Sequence, residues 1–350
     1  MDISKKEQTQ TAGDYALQNQ FENLNNCNVT INDKELIRAI ATEVCSKEML
    51  NVYRTCTQDA IELANKRDNM FAQIFIPRIE QIESSIESLK DPSFQFMIQD
   101  ARETAAKTDR KEDWQMLSEL LICHIEKGQN KTVNAGINRA IKIVNEIDID
   151  ALCALTVVCS ILNILPVDGD IHVGLSVLNE LYGSLMHVKL PENYDWIDQL
   201  NILGAIYMLS GNFYKLGKIL SARLDGYICV GIKKDSEEHE KALKIINENN
   251  YSTNVLIENE CLPGYLRLKI VNASSLKEEL KPILDLYSKD KKLEERVIAA
   301  FMEKWSTYSN LKIVKEWFER IPVYFKINSV GRSLAQTNAK RCYRDFPDLI

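Results

Sequence analysis

Three observations predict a mainly α-helical fold. Apolar residues recur at helical spacing over most of the 350 residues, cap residues and polar breakers punctuate those runs, and strand-like alternation is confined to the two ends. The expected architecture is an irregular multi-helix array with a short N-terminal β strip and a few small strands in the C-terminal third. Three regions are expected: a polar tail and Asn/Gln-rich strip over 1–32, a helical body over 33–225, and a helical region with some strand over 226–350.

Residues 1–10 are polar and carry no apolar period. After them Leu17, Phe21, Cys27, Val29 and Ile31 recur with even, strand-like spacing in an Asn/Gln-rich background. So small an apolar surface cannot hold strands alone, and they need a partner. Gly13 and Asp14 open this strip in a turn, Gln18 and Gln20 can ladder their amides, and Leu17 and Phe21 anchor the apolar side.

From Lys34 the period becomes helical, with Leu36, Ile37, Ile40, Ala41 and Val44 on one stripe. Between Lys47 and Leu89 the pattern predicts a helical arm or hairpin with an interruption at Pro77. Asp91-Pro92 predicts a helix start, a carboxylate cap followed by proline at the first position. Stripes through Trp114, Leu117, Leu121 and Ile125, and through Ile137, Ile141 and Val144, predict antiparallel neighbours. The apolar run from Ala151 to Leu165 is shorter than the roughly 20 residues that span a bilayer, and predicts a buried helix.

Past Asp225, Tyr227–Ile232 and the alternating Tyr265–Val271 segment read as short strands. Helices follow around Leu293–Trp305 and Leu311–Arg320, then a strand over Val323–Ile327 and a helix capped by Ser329. All four tryptophans fall in amphipathic stripes and are assigned to packing.

Composition narrows the function classes. With 43 Lys+Arg against 50 Asp+Glu the net charge is −7, which gives no general footprint for nucleic acid or anionic membrane. The opening MDISKKEQTQ has no apolar signal core, so a cytoplasmic location is expected, and nine scattered cysteines fit reduced thiols.

Three segments carry a resemblance. Gly13-Asp14-Tyr15-Ala16-Leu17-Gln18-Asn19-Gln20, Asp91-Pro92-Ser93-Phe94-Gln95 with Asp100-Ala101, and Ser329-Val330-Gly331-Arg332 with Asn338 and Arg341 resemble an uncharacterised family of bacterial helical proteins catalogued by locus tag. The first segment is also similar to a strip that precedes various domains in bacterial conflict and phage-defence proteins. The resemblance implies a bacterial origin and a helical order, with defence as the setting, and it implies no activity.

The catalytic patterns fall short. Gly211–Lys218 places five residues between its glycines where a phosphate loop needs four, with Ile219 where a hydroxyl belongs, and no strand-to-helix cradle is evident around it. Asp168, Asp170 and His172 are metal-ligand types, but a completing cluster is missing and the carboxylates suit a helix start. No HExxH, CxxC or G-x-S-x-G pattern is present, and no cofactor is implied.

Two functional classes are therefore expected, with an enzyme whose site follows no recognisable motif as a third alternative. One is a non-enzymatic interaction or sensor protein that joins copies of itself, or another protein, through the N-terminal strip. The other is a nucleic-acid or nucleotide sensor using Lys326, Arg332, Lys340, Arg341 and Arg344, which lie among Tyr324, Phe325 and Tyr343.

Overall fold

The computed structural model describes residues 47–82, 85–127, 130–211 and 215–349, so the strip residues Gly13, Asp14, Leu17, Gln18, Gln20 and Phe21 lie outside the described residues. The chain is mainly α-helical. It divides into two compact units, 1–72 and 73–350. The described part of the first is helical, belonging to α1 (Lys47–Ile79), which continues into the second unit and ends two residues after Pro77.

The second unit is an array of helices with two small antiparallel sheets. Helix α2 (Ser85–Lys90) is short. Helix α3 (Pro92–Lys107) begins as the sequence predicts, Asp91 accepting from the Ser93 amide at 2.9 Å with Pro92 at its first position. Helices α4 (Lys111–Lys127) and α5 (Lys131–Ile143) follow. Arg110 ties the α3–α4 turn to the end of α5, donating from Nε to Asp113 at 2.9 Å and from its Nη atoms to the Ile147 and Val144 carbonyls at 2.9 and 3.1 Å. Burial pushes the Asp113 carboxyl above its ordinary range, against the opposing pull of Thr108 and Arg110.

Helix α6 (Ile149–Asn163) is buried from Ala151 to Ile161, as an apolar helix without a polar face must be. Its hydroxyls are satisfied within the helix, Thr156 donating to the Leu152 carbonyl at 2.7 Å and Ser160 to the Thr156 carbonyl at 2.8 Å. Helices α7 (Ile171–Leu185) and α8 (Asp195–Ile202) lead to strand β1 (Ile206–Leu209) and helix α9 (Leu216–Arg223).

The next region is smaller-scale. Strand β4 (Tyr265–Leu268) lies between β2 (Ile232–Lys233) and β3 (Leu256–Glu258), antiparallel to both, and helix α10 (Glu237–Glu248) covers them. A local core of Ile232, Ala242, Ile246, Leu268, Leu280 and Ile283 holds this sheet. The chain ends with α11 (Lys291–Thr307), α12 (Ser309–Phe318), strand β5 (Tyr324–Ile327) and α13 (Ser329–Cys342). Strand β5 returns to pair with β1, Ile206 opposite Ile327 and Leu209 opposite Tyr324.

Helix α13 packs against α4, α5 and α6. Close approach to α5 depends on Gly136, where a Cβ would meet the Ser329 backbone at 2.8 Å. Packing also explains the tryptophans, which are all buried. Each of three finds a carbonyl for its indole N–H: Trp114 that of Ala105 at 3.1 Å, Trp305 that of Leu311 at 2.7 Å and Trp317 that of Pro191 at 3.0 Å. Trp196 stands edge-on to Phe325, with ring centroids 5.8 Å apart.

Three local expectations are corrected. Asn328 rather than Ser329 caps α13, accepting from the Val330 and Gly331 amides at 2.9 and 3.1 Å, because the helix starts at the serine itself. The Tyr227–Ile232 segment contributes only Ile232 to a strand, since Tyr227 and Ile228 donate their amides back to the Leu224 carbonyl in a turn. Alternation in Tyr265–Val271 puts Arg267 on a polar face, yet its side chain is fully buried in an ion pair with Glu260. Period-two patterning reports polarity, and a buried paired cation defeats it.

Candidate functional site

Helices α6, α9 and α13 and strand β5 enclose a cleft of about 480 Å³. Four cations line it: Lys218 and Arg223 from α9, Lys326 from β5 and Arg332 from the first turn of α13. No acidic residue among the described ones lines it. The wall between the cations is apolar and amide, made by Leu162, Asn163, Ile219, Tyr324, Phe325 and Ile327. Local geometry produces this convergence. Lys218, Ile219, Ala222 and Arg223 occupy one face of α9 at i, i+1, i+4 and i+5, and the β1–β5 ribbon carries Tyr324–Ile327 past it.

Arg223 sets the electrostatics. Its Nε is shut off from solvent, and no described residue accepts a hydrogen bond from it. Burial pushes its guanidinium below the ordinary value, opposed by the Tyr182 phenol, and no carboxylate contributes. An arginine does not neutralise by losing its proton, so a charge stays in the cleft wall without a counter-charge. Lys218, Lys326 and Arg332 form no ion pair with a described residue either. The C-terminal end of α6 adds a partial negative charge of about half a unit, small against four full cations.

Arg267 is the opposite case. Its Nε and Nη2 grip Glu260 at 3.0 and 3.1 Å, Nη2 also reaches the Gly169 carbonyl at 3.0 Å, and Nη1 reaches the Leu268 and Gly226 carbonyls at 3.2 and 3.4 Å. All five donors of that guanidinium are used. Arg267 is a fully buried structural rivet, whereas Arg223 is half-buried at the cleft with its Nε unpaired among the described residues.

The structure divides the five C-terminal cations. Lys326 and Arg332 join the cleft, whereas Lys340 pairs with Glu119 at 3.7 Å and Asp348 at 3.4 Å. Against burial that would lower it, those two carboxylates hold the Lys340 ammonium above its ordinary range. Arg341 donates to Asn338 Oδ1 at 2.8 Å and to His187 Nε2 at 2.7 Å, and Arg344 is exposed. Helical geometry accounts for the split, since positions 332 and 341 lie about 180° apart around α13. Sequence reasoning missed Lys218 and Arg223, the partners that complete the cluster.

The phosphate-loop lookalike gains a partial explanation. It does run from a strand, β1, to a helix, α9, but β1 belongs to a two-stranded antiparallel ribbon, and residues 212–214 lie outside the described ones. Its Lys218 faces the cleft as a side chain.

The weak metal trio is spent locally. Asp170 caps α7 by accepting from the Val173 amide at 3.1 Å, and Asp168 accepts from the Asp170 amide at 2.8 Å. Among the described residues no three His, Cys, Asp or Glu side chains are grouped to hold a metal ion.

One thiol–imidazole pair is present, with Cys342 Sγ 3.3 Å from His187 Nδ1. Nδ1 also lies 3.0 Å from the Leu185 carbonyl, which assigns the proton to that nitrogen, while Nε2 accepts from Arg341. Neither ring nitrogen is then open to take the thiol proton. Burial pushes the Cys342 thiol up and the His187 imidazole down, both away from a thiolate–imidazolium pair. The buried thiols Cys123, Cys153 and Cys159 are pushed up by desolvation to about 11, 12 and 12.

This arrangement defines a mainly α-helical protein with a strand-edged basic cleft. A model of a "-like" family designated by locus tag matches residues 29–349, and the chain belongs to that family. No curated protein and no solved structure matches it. No helix among the described residues is long and apolar enough to cross a membrane.

Proposed function

We propose that the protein is a non-catalytic sensor that recognises a phosphate-bearing ligand in the cationic cleft. The observation that carries this reading is the uncompensated Arg223, whose buried Nε finds no acceptor among the described residues while three further cations line the same cleft. Leaving a half-buried guanidinium with a buried, unpaired Nε costs stability, and an anionic ligand at the cleft offsets that cost. The way Cys342 and His187 are engaged supports a role in binding rather than covalent chemistry.

In this reading the Asn/Gln-rich strip from Gly13 to Phe21 links the sensor to further copies or to a partner protein in the cytoplasm. Support comes from its strand spacing. The similarity of that strip to segments of bacterial conflict proteins favours a phage-defence setting.

Calorimetric titration of the full chain with inorganic tripolyphosphate tests the site. Each charge-assisted hydrogen bond contributes about 1.5–3 kcal/mol, so Arg223→Gln and Arg332→Gln should each weaken binding roughly ten- to hundredfold. Arg344→Gln should leave it unchanged. Binding that survives the Arg223→Gln/Arg332→Gln pair, or that depends on Arg344 instead, contradicts the assignment.

A further inference from the structure

We infer that the ligand of the cleft is a nucleoside polyphosphate, its phosphates on the cations and its base on the apolar wall. The inference rests on the phosphate reading above and adds the ligand class. Charge comes first. A phosphate monoester carries about −1.5 to −2 at neutral pH, so four cations exceed what one phosphate neutralises and suit a chain of two or three.

Size and polarity select the rest of the molecule. A cleft of about 480 Å³ falls within the range of small-molecule sites, larger than inorganic phosphate needs. Leu162, Ile219, Tyr324 and Phe325 give it an apolar side that a bare polyphosphate would leave unused. The same four residues continue into a hollow of only about 30 Å³ against Val158 and Phe318. One water needs about 10–15 Å³ of such space, so the hollow takes two or three at most and the apolar side has a shallow floor. It accepts a flat ring laid on it and excludes a long acyl chain.

Asn163 supplies an orienting group. Its Nδ2 donates to the Cys159 carbonyl at 2.7 Å, which fixes the amide, and its side chain lines the cleft with Oδ1 left to accept. An exocyclic base amine is a fitting donor. Tyr324, half-buried in the same wall, offers aromatic surface for the base.

The test compares ATP, tripolyphosphate, adenosine and a short single-stranded oligonucleotide by calorimetry on the full chain at one salt concentration. ATP should bind at least roughly tenfold tighter than tripolyphosphate, with adenosine weaker than both. Tyr324→Ala should reduce ATP to the tripolyphosphate level and leave tripolyphosphate unchanged. The wild-type comparison stands whether or not that variant folds. Equal affinity for ATP and tripolyphosphate overturns the nucleotide inference and leaves the phosphate reading standing. No binding of either overturns both. An oligonucleotide that binds tenfold tighter than ATP overturns the inference in favour of single-stranded nucleic acid.

Discussion

Replacing Gly231 with alanine should cost about 4 kcal/mol in urea unfolding, because two independent penalties fall on one atom. Gly231 has φ of +78°, where an L side chain costs about 1–2 kcal/mol, and a Cβ there would lie 2.0 Å from the Leu266 carbonyl oxygen. That oxygen is backbone of the central strand β4, so relief requires separating β2 from β4. The Gly231 carbonyl also accepts from the Ser288 amide at 2.9 Å, and the displacement would break that bond too. Gly264 is the control. It has φ of +84° but nothing within 4 Å of a Cβ, so Gly264→Ala should show the dihedral cost alone. Equal losses at the two positions would contradict the steric argument.

Arg267→Met should cost about 3–5 kcal/mol, the range for removing one partner of a buried ion pair. The change strands Glu260 and removes the guanidinium from the Gly169, Gly226 and Leu268 carbonyls, of which Leu268 keeps the Ile270 amide and Gly226 the Cys229 thiol. It also removes the cation 5.5 Å from the centre of the Tyr227 ring. Glu260 keeps some exposure, which places the expected loss toward the lower end. A double variant, Arg267→Met with Glu260→Gln, should recover part of the loss, since the stranded charge is gone. No recovery in the double variant, measured by the same unfolding, would mean that the carbonyl bonds and not the ion pair carry the cost.

Much of the helical order is legible in the sequence because helices announce themselves locally. Asp91-Pro92 marks the start of α3, and the apolar run from Ala151 marks a helix buried all round. Strands were harder to place. Tyr227–Val230 is as apolar as a strand but turns back on Leu224, a choice made by the Gly226 and Arg267 packing and not by its own period.

The cleft was half legible. Lys326 and Arg332 stand out in a stretch without Asp or Glu from 320 to 344. A second such stretch, 199–224, contains Lys218 and Arg223. These are two long acid-free stretches that carry cations, a signal legible in the order of charges along the chain. What no single stretch shows is that β1 and β5 pair Ile206 with Ile327 and Leu209 with Tyr324, or that α13 turns Arg341 away from Arg332. Those are tertiary facts.

On the proposed reading, Arg223 is held for an anion and not for the fold. Thermal unfolding of Arg223→Met against wild type, with and without tripolyphosphate, tests it most directly. Removing an uncompensated charge from a binding site should stabilise the ligand-free chain by about 1 kcal/mol, a rise of about 2 °C in Tm. The same variant should lose most of the upward shift that tripolyphosphate gives wild type. An Arg223→Met variant that melts lower than wild type without ligand, and still shifts fully with tripolyphosphate, would contradict that role for Arg223.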